Sequence, residues 1–456
     1  MHSLEAEMDI KRKAYKKLLD WKTSSEHSKA LMIQGARRVG KSYIAEHFGK
    51  NEYRSVMLID FSSPVAGTLR IFEDFGNASR LDEFFNQLSV LYSVRLYPHQ
   101  TLIIFDEIQK YPKARELIKH LVADNRYDYI ETGSLISIKQ NVKDILIPSE
   151  EDVMDLHPLD FEEFLQALGE DTAWEYIRDR YESRKPLGNI LKRINELLRL
   201  YMIVGGMPQA VDSYISSRSY DTTEKVKRTI IHLYREDIAK YATGHVAEAR
   251  AIFDSIPEQL SHHDKKIKYS SLKKGSRAAN YTDAINWISE SMVGSLCMLL
   301  EEPTEIEGFS LQPDKVKCYM ADTGLLLTLA AGNNYLKSNL YKSLVLGKLS
   351  ANKGMMTENL VSQMLSANDL PLRFYEKIVT DSDGKRHKYE VDFLIHNDHR
   401  TIPVEVKSGN ATRHPSIDYF CKKYKRQTGK GIILTKGDLR ETEDYLYLPL
   451  AMTPLI

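Results

Sequence analysis

Cysteine is scarce in this chain: Cys297, Cys318 and Cys421 are the only three among 456 residues. They lie far apart, lack zinc-ligand spacing and cannot all pair with one another. That excludes a disulfide-built fold and fits a reducing, cytoplasmic compartment. A net charge is missing too. Lys and Arg total 63, as do Asp and Glu, so no global positive excess marks a nucleic-acid binder and any such surface must be local. No run of about 18 apolar residues is present to span a bilayer. The N-terminal stretch is charged and has no apolar signal core. Internal repeats and low-complexity linkers are also lacking. What remains, 42% hydrophobic and 28% charged, is an ordinary globular mixture. The length suits two or three domains of roughly 150 residues each.

Periodicity divides the chain. Over residues 1–160, short apolar runs at Ala30–Gln34, Ser55–Phe61, Thr101–Phe105, Asp128–Glu131 and Val153–Leu156 alternate with amphipathic stretches. Buried runs separated by helices read as a parallel α/β sheet. Residues 161–250 have a helical pattern that opens with Phe161-Glu-Glu-Phe-Leu165 and breaks at Gly205-Gly-Met-Pro208. Residues 251–335 place two short helical stretches around a glycine, with strands at Met298–Glu302 and Lys315–Met320. That order suggests a winged helix. The remainder returns to α/β, with a helix over Thr357–Leu365 and strands at Tyr389–His396, Thr401–Lys407 and Gly431–Thr435.

The strongest local signal is Gly35-Ala36-Arg37-Arg38-Val39-Gly40-Lys41-Ser42. It fits the Walker A pattern and lies between an apolar strand and a helical stretch. Glycines let backbone amides wrap phosphate oxygens, and the helix N-terminus adds positive potential. Lys41 can reach the β- and γ-phosphates, and Ser42 can bind Mg2+. ATP and Mg2+ are therefore the expected ligands. Thr101-Leu-Ile-Ile-Phe-Asp106-Glu107 is a buried run ending in two acids. Asp106 would hold Mg2+, and Glu107 would orient and activate the attacking water. Downstream, Thr132-Gly-Ser134 ends the next run, and here the chain resembles the AAA-type ATPases. The resemblance makes Thr132 and Ser134 candidates for sensing the γ-phosphate. Glu131 departs from it, because an apolar residue is more usual before the sensor.

A third constellation follows: Glu390-Val-Asp392-Phe-Leu-Ile395, then Pro403-Val-Glu405-Val-Lys407-Ser408. Both segments alternate polar and apolar residues, as half-buried strands do. A turn at Asp398-His399 puts Asp392 opposite Glu405 and Glu390 opposite Lys407, within cross-strand reach. Val391, Phe393, Ile395, Val404 and Val406 take the other face. Glu358, on the preceding helix, would add an acid to a magnesium-like set of oxygen ligands. The alternation alone is satisfied equally by an amphipathic hairpin with solvated charges. The order of Glu358, Asp392, Glu405 and Lys407 resembles the PD-(D/E)xK restriction-endonuclease-like fold.

Over nearly its full length the chain resembles a prokaryotic family of AAA-type ATPases with a C-terminal domain of unknown function. Val204-Gly-Gly-Met-Pro208 and Tyr319-Met-Ala-Asp-Thr-Gly-Leu325 add to the motifs above. The resemblance implies an α/β architecture: a P-loop AAA-type parallel sheet over residues 1–160, a helical lid or connector over 161–250, a winged-helix region over 251–335, and a restriction-endonuclease-like α/β domain over 336–456. It implies an ATP-hydrolysing protein coupled to a DNA-binding, nuclease-like module. Two alternatives stand beside it: a regulatory ATPase with a non-catalytic binding platform, and an ATP-controlled metal-dependent DNase. DNA is the expected macromolecular partner, with a homo-oligomer or protein partner also compatible. Basic clusters at Lys265-Lys-Ile-Lys268, Lys273-Lys274 with Arg277, and Lys422 to Lys430 are the candidate phosphate contacts.

Overall fold

The computed structural model describes residues 10–25, 27–75, 80–133, 150–302, 315–332, 342–343, 353–397, 400–409 and 413–456. The chain divides into two compact units, Lys11–His157 and a second built on Pro158–Ile456. Among the described residues, no helix is long and apolar enough to cross a membrane.

The first unit holds strands β1 (Ala30–Gln34), β2 (Ser55–Asp60), β3 (Thr101–Asp106), β4 (Asp128–Gly133) and β5 (Glu151–Asp155), ordered β2-β3-β4-β1-β5. Every pairing is parallel. A parallel sheet must be covered on both faces, and two apolar clusters do this. Met57, Ile103 and Phe105 pack against the helices Thr68–Phe75, Leu81–Tyr92 and Pro112–Asp124. Leu31, Ile33, Leu102 and Ile104 pack against the helices Lys13–Ser25 and Lys41–Glu52. β5 is an edge strand, which explains why Val153 lies exposed within an apolar run.

The second unit opens with helices. Phe161-Glu-Glu-Phe-Leu165 begins the helix Phe161–Ala167 through a capping box: Asp160 accepts from the Glu163 N–H at 2.9 Å, and Glu163 accepts from the Asp160 N–H at 3.1 Å. Its phenylalanines and Leu165 are buried. The helices Asp171–Glu182, Leu191–Val204, Pro208–Ser217, Tyr220–Tyr241 and Val246–Ser261 follow.

Next come a bridge between Lys266 and Lys317, a short helix Tyr269–Leu272, and a helix Thr282–Glu290. An antiparallel pair completes the segment, β6 (Gly294–Leu299) and β7 (Val316–Met320). The C-terminal segment runs helix Lys353–Ala367, β8 (Arg373–Thr380), β9 (Arg386–Val391), β10 (Phe393–Asn397), β11 (Arg400–Val406), helix Pro415–Lys423, β12 (Gly431–Thr435), β13 (Arg440–Glu441) and β14 (Tyr445–Pro449). Two sheets result, ordered β7-β6-β8-β9 and β10-β11-β12-β14-β13. β6 pairs with β8, so the first of these sheets spans residue 335, the expected domain boundary.

Two sequence motifs account for each other at a buried joint. Asp322 accepts the N–H of Gly206 at 2.5 Å and that of Leu325 at 2.8 Å. Gly205 has φ +86°, and a Cβ there would lie 2.4 Å from the Asp322 carboxylate. No other residue fits such a backbone beside such a neighbour. Gln363 and Asn359, on the helix Lys353–Ala367, accept the N–H groups of Thr323 and Met320, each at 2.8 Å. These motifs therefore fasten helices together in the second unit.

Candidate functional site

β1 leads into the turn Gly35–Gly40, and Lys41 begins the helix Lys41–Glu52. Gly40 reaches φ +98°, a left-handed conformation that favours glycine. As the helix cap it has no side chain to bond the first amides, which suits them to an anionic ligand. Lys41 is buried, and its Nζ donates to the carbonyls of Gly35 at 3.0 Å and Ala36 at 3.1 Å. Arg37 and Arg38 are exposed, whereas Val39 is buried.

β3 lies inside the sheet between β2 and β4 and ends at Asp106 beside this turn. The Ser42 hydroxyl donates to Asp106 Oδ1 at 2.7 Å. The Thr132 hydroxyl, on neighbouring β4, donates to the same oxygen, and the Glu107 N–H reaches Thr132 Oγ1 at 3.3 Å. Glu107 takes a left-handed backbone with φ +52°, uncommon for a residue with a side chain and typical of functional positions. Its carboxylate accepts from Gln109 at 2.6 Å. Lys41, Ser42, Asp106, Glu107 and Thr132 are thus brought to one end of the sheet. Ser134 lies outside the described residues. The chemistry of this set fits ATP with Mg2+: a cation and uncapped amides for phosphate, and a hydroxyl beside a carboxylate for the metal ion.

Glu131, the unusual acid, points into a buried cluster. Its Oε2 lies 3.7 Å from Arg115, which also binds Glu151 at 2.6 Å. Burial raises the Glu131 carboxyl well above the usual range, and the Glu151 charge adds to this while Arg115 opposes it. Arg115 and Glu151 escape motif reading. The only signal in the sequence is a lone acid in an apolar run, which demands a buried partner.

The C-terminal constellation is reached differently. β10 and β11 pair antiparallel from Phe393↔Val404 to Asn397↔Arg400, the register expected from a turn at 398–399; those two residues lie outside the described set. The facing of Glu390 and Lys407 is not formed. The chain breaks at Asp392, and β9 leaves for the other sheet, where Glu390 pairs with Glu376 of β8. Asp392 instead accepts the Val406 N–H at 2.8 Å. Glu390 meets Lys317 at 2.6 Å and Lys388 at 2.8 Å. Burial works against the Glu390 charge, but these two lysines outweigh it and hold the carboxyl at about 2.

Glu358 is buried against Lys265 and accepts from the Tyr319 hydroxyl at 3.1 Å. Lys407 binds Glu405 at 2.5 Å. Asp392 is pushed up to about 8, by burial first and then by the Glu358 charge, against Lys317 and Lys265. Among the described residues, no group of three or more His, Cys, Asp or Glu side chains is arranged to hold a metal ion. Glu358 and Glu405 are each already paired with a lysine, so as they stand these acids do not offer open ligands to a divalent cation.

The basic clusters also divide. Lys265 binds Glu358, and Lys266 binds Glu376 at 2.6 Å. These two are neutralised by carboxylates and are removed from the phosphate-contact set. Lys273, Lys274 and Arg277 are exposed, as are Lys422, Lys425 and Arg426.

Residues 27–165 match the model of an AAA domain. Residues 195–336 and 353–452 match two domains of unknown function, DUF8612 and DUF4143. No curated protein matches the chain. The ORC1 protein of Aeropyrum pernix, solved in complex with DNA, is 11% identical, with 72% of this chain and 94% of that one covered and a TM-score of 0.29. The ORC2 protein of the same organism, in its ADP form, is 14% identical, with 64% and 88% covered and a TM-score of 0.30. Cdc6p of Pyrobaculum aerophilum is 11% identical, with 76% and 97% covered and a TM-score of 0.26. Likenesses this slight bear on neither fold nor function. The parallel five-stranded sheet, the phosphate-binding turn and the family match agree on one conclusion: residues 27–165 are an AAA-type P-loop nucleotide-binding domain.

Proposed function

We propose that the protein binds and hydrolyses Mg-ATP and couples turnover to a DNA-binding, nuclease-like remainder of the chain. The observation that carries the ATPase reading is the junction of Ser42, Asp106 and Thr132, with Glu107 next in the chain. Lys41 and the amides of the turn would draw in the β- and γ-phosphates. Mg2+, held by Ser42 and Asp106, would neutralise charge building between those phosphates. Glu107 would orient a water for attack on the γ-phosphate, and Thr132 would keep Asp106 and the Glu107 backbone in place. Glu107→Gln should bind ATP as the wild type does, yet lose about a hundredfold or more in phosphate release. Unchanged turnover in that variant removes Glu107 from the mechanism.

Support for the DNA-binding part comes from element order. Helix Val246–Ser261, the Lys266–Lys317 bridge, two further helices and the β6–β7 pair follow the sequence of a winged helix. Exposed Lys273, Lys274 and Arg277 lie between its last two helices. The succession of helix Lys353–Ala367, β8 to β11, helix Pro415–Lys423 and β12 supports the nuclease-like reading of the C-terminal segment. The ion pairs on Glu358 and Glu405 favour the second reading, in which that segment is a non-catalytic platform.

A further inference from the structure

A buried carboxylate needs a cation, donated hydrogen bonds or a proton. In the C-terminal acid face the cations come from the chain itself. Lys265 ends on Glu358, Lys266 on Glu376 and Lys317 on Glu390. All three lysines belong to residues 265–317 and all three glutamates to residues 358–390, so each pair ties one stretch to the other. Lys407 meets Glu405 locally.

We infer that Lys265 and Lys317 are tethered cations standing where the resemblance puts a divalent ion, which makes the acid face an internal ionic dock that needs no metal. This deepens the platform reading and is independent of the ATP site. A metal ion entering the face would have to displace Lys265 from Glu358 and bear the repulsion of the buried Lys317 ammonium group. Lys317 is 0% exposed and cannot leave without a hole, whereas Lys265 is 18% exposed and can be cut back to leave Glu358 without its cation.

The test is a Mn2+ titration of the full nucleotide-free chain, read by the electron paramagnetic resonance signal of free Mn2+. An Asp106→Asn background removes the P-loop's own metal ligand. That chain should bind Mn2+ only weakly. Adding Lys265→Ala should create a site, with a gain in affinity of about tenfold or more, and adding Glu358→Gln should abolish it again. Lys265→Gln, which keeps the length and loses the charge, serves if the alanine variant unfolds. In parallel, Lys265→Glu and Glu358→Lys should each lower the thermal midpoint, and their combination should recover it. Equal Mn2+ binding with and without Lys265, a folded Lys265 variant that gains no site, or a charge swap that recovers nothing each overturn the inference.

Discussion

The P-loop and the C-terminal acid face both combine lysines with acids, yet they hold their lysines in different ways. Lys41 donates to the backbone carbonyls of Gly35 and Ala36, neutral dipoles within the turn that phosphate would enter. An incoming anion can take over those bonds at little cost. Lys317 is held by the full charge of Glu390 at 2.6 Å and lies 4.7 Å from the centre of the Phe374 ring. The first arrangement can be exchanged for a ligand. The second is closed within the fold. Burial alone does not separate the two, because both lysines are buried; the partner does.

The sharpest way to break this contrast is to remove each charge while keeping the shape. Lys317→Met should destabilise the chain by about 3 kcal/mol, because Glu390 loses a buried partner, and should leave ATP affinity in the native protein unchanged. Lys41→Met should do the reverse, abolishing ATP binding with little change in unfolding midpoint. Denaturant unfolding and a fluorescent-nucleotide titration read both. Loss of stability from Lys41→Met with none from Lys317→Met would invert the comparison.

Acid sharpens it next. Glu390 is held at about 2, below its ordinary 4.5. A depressed carboxyl adds stability that is complete above 4.5 and is lost as pH falls toward 2. The stability difference between wild type and Glu390→Gln should therefore be flat above this window and shrink across it. A difference that persists unchanged to pH 2 denies the ion pair its role.

The smallest effect concerns DNA. Replacing Lys273, Lys274 and Arg277 with Ala should weaken duplex binding and flatten its salt dependence, by about one unit of slope for each phosphate left without its cation. Lys266→Ala should leave both unchanged, since Lys266 is tied to Glu376. Equal effects from the two sets would mean that the ion pair on Lys266 does not hold in solution.

Much of the first unit was legible in advance. The strand runs, the phosphate-binding turn and the paired acids Asp106 and Glu107 depend on near neighbours: apolar runs make buried strands, and glycines permit the tight turn. The β10–β11 register was legible for the same reason, since a turn and period-two alternation set it locally. β8 and β14 lie outside the expected strands. The break at Asp392 was hidden because one apolar–polar alternation runs unbroken through two strands that belong to different sheets. Glu131 stands out as an acid where an apolar residue is more usual. That signals a buried partner without saying which residue it is.

The sequence by itself determined the P-loop turn, because that turn is made from consecutive residues between a buried strand and a helix. Only the tertiary structure decided what became of the C-terminal acids. Lys265 and Glu358 are 93 positions apart, and Lys317 on β7 reaches Glu390 on β9 although the helices Thr323–Ala331 and Lys353–Ala367 and the strand β8 come between them in the chain. Whether a carboxylate stays open for a ligand or is closed by an ammonium group depends on which distant side chain the fold brings within a few ångströms, and no local pattern carries that information.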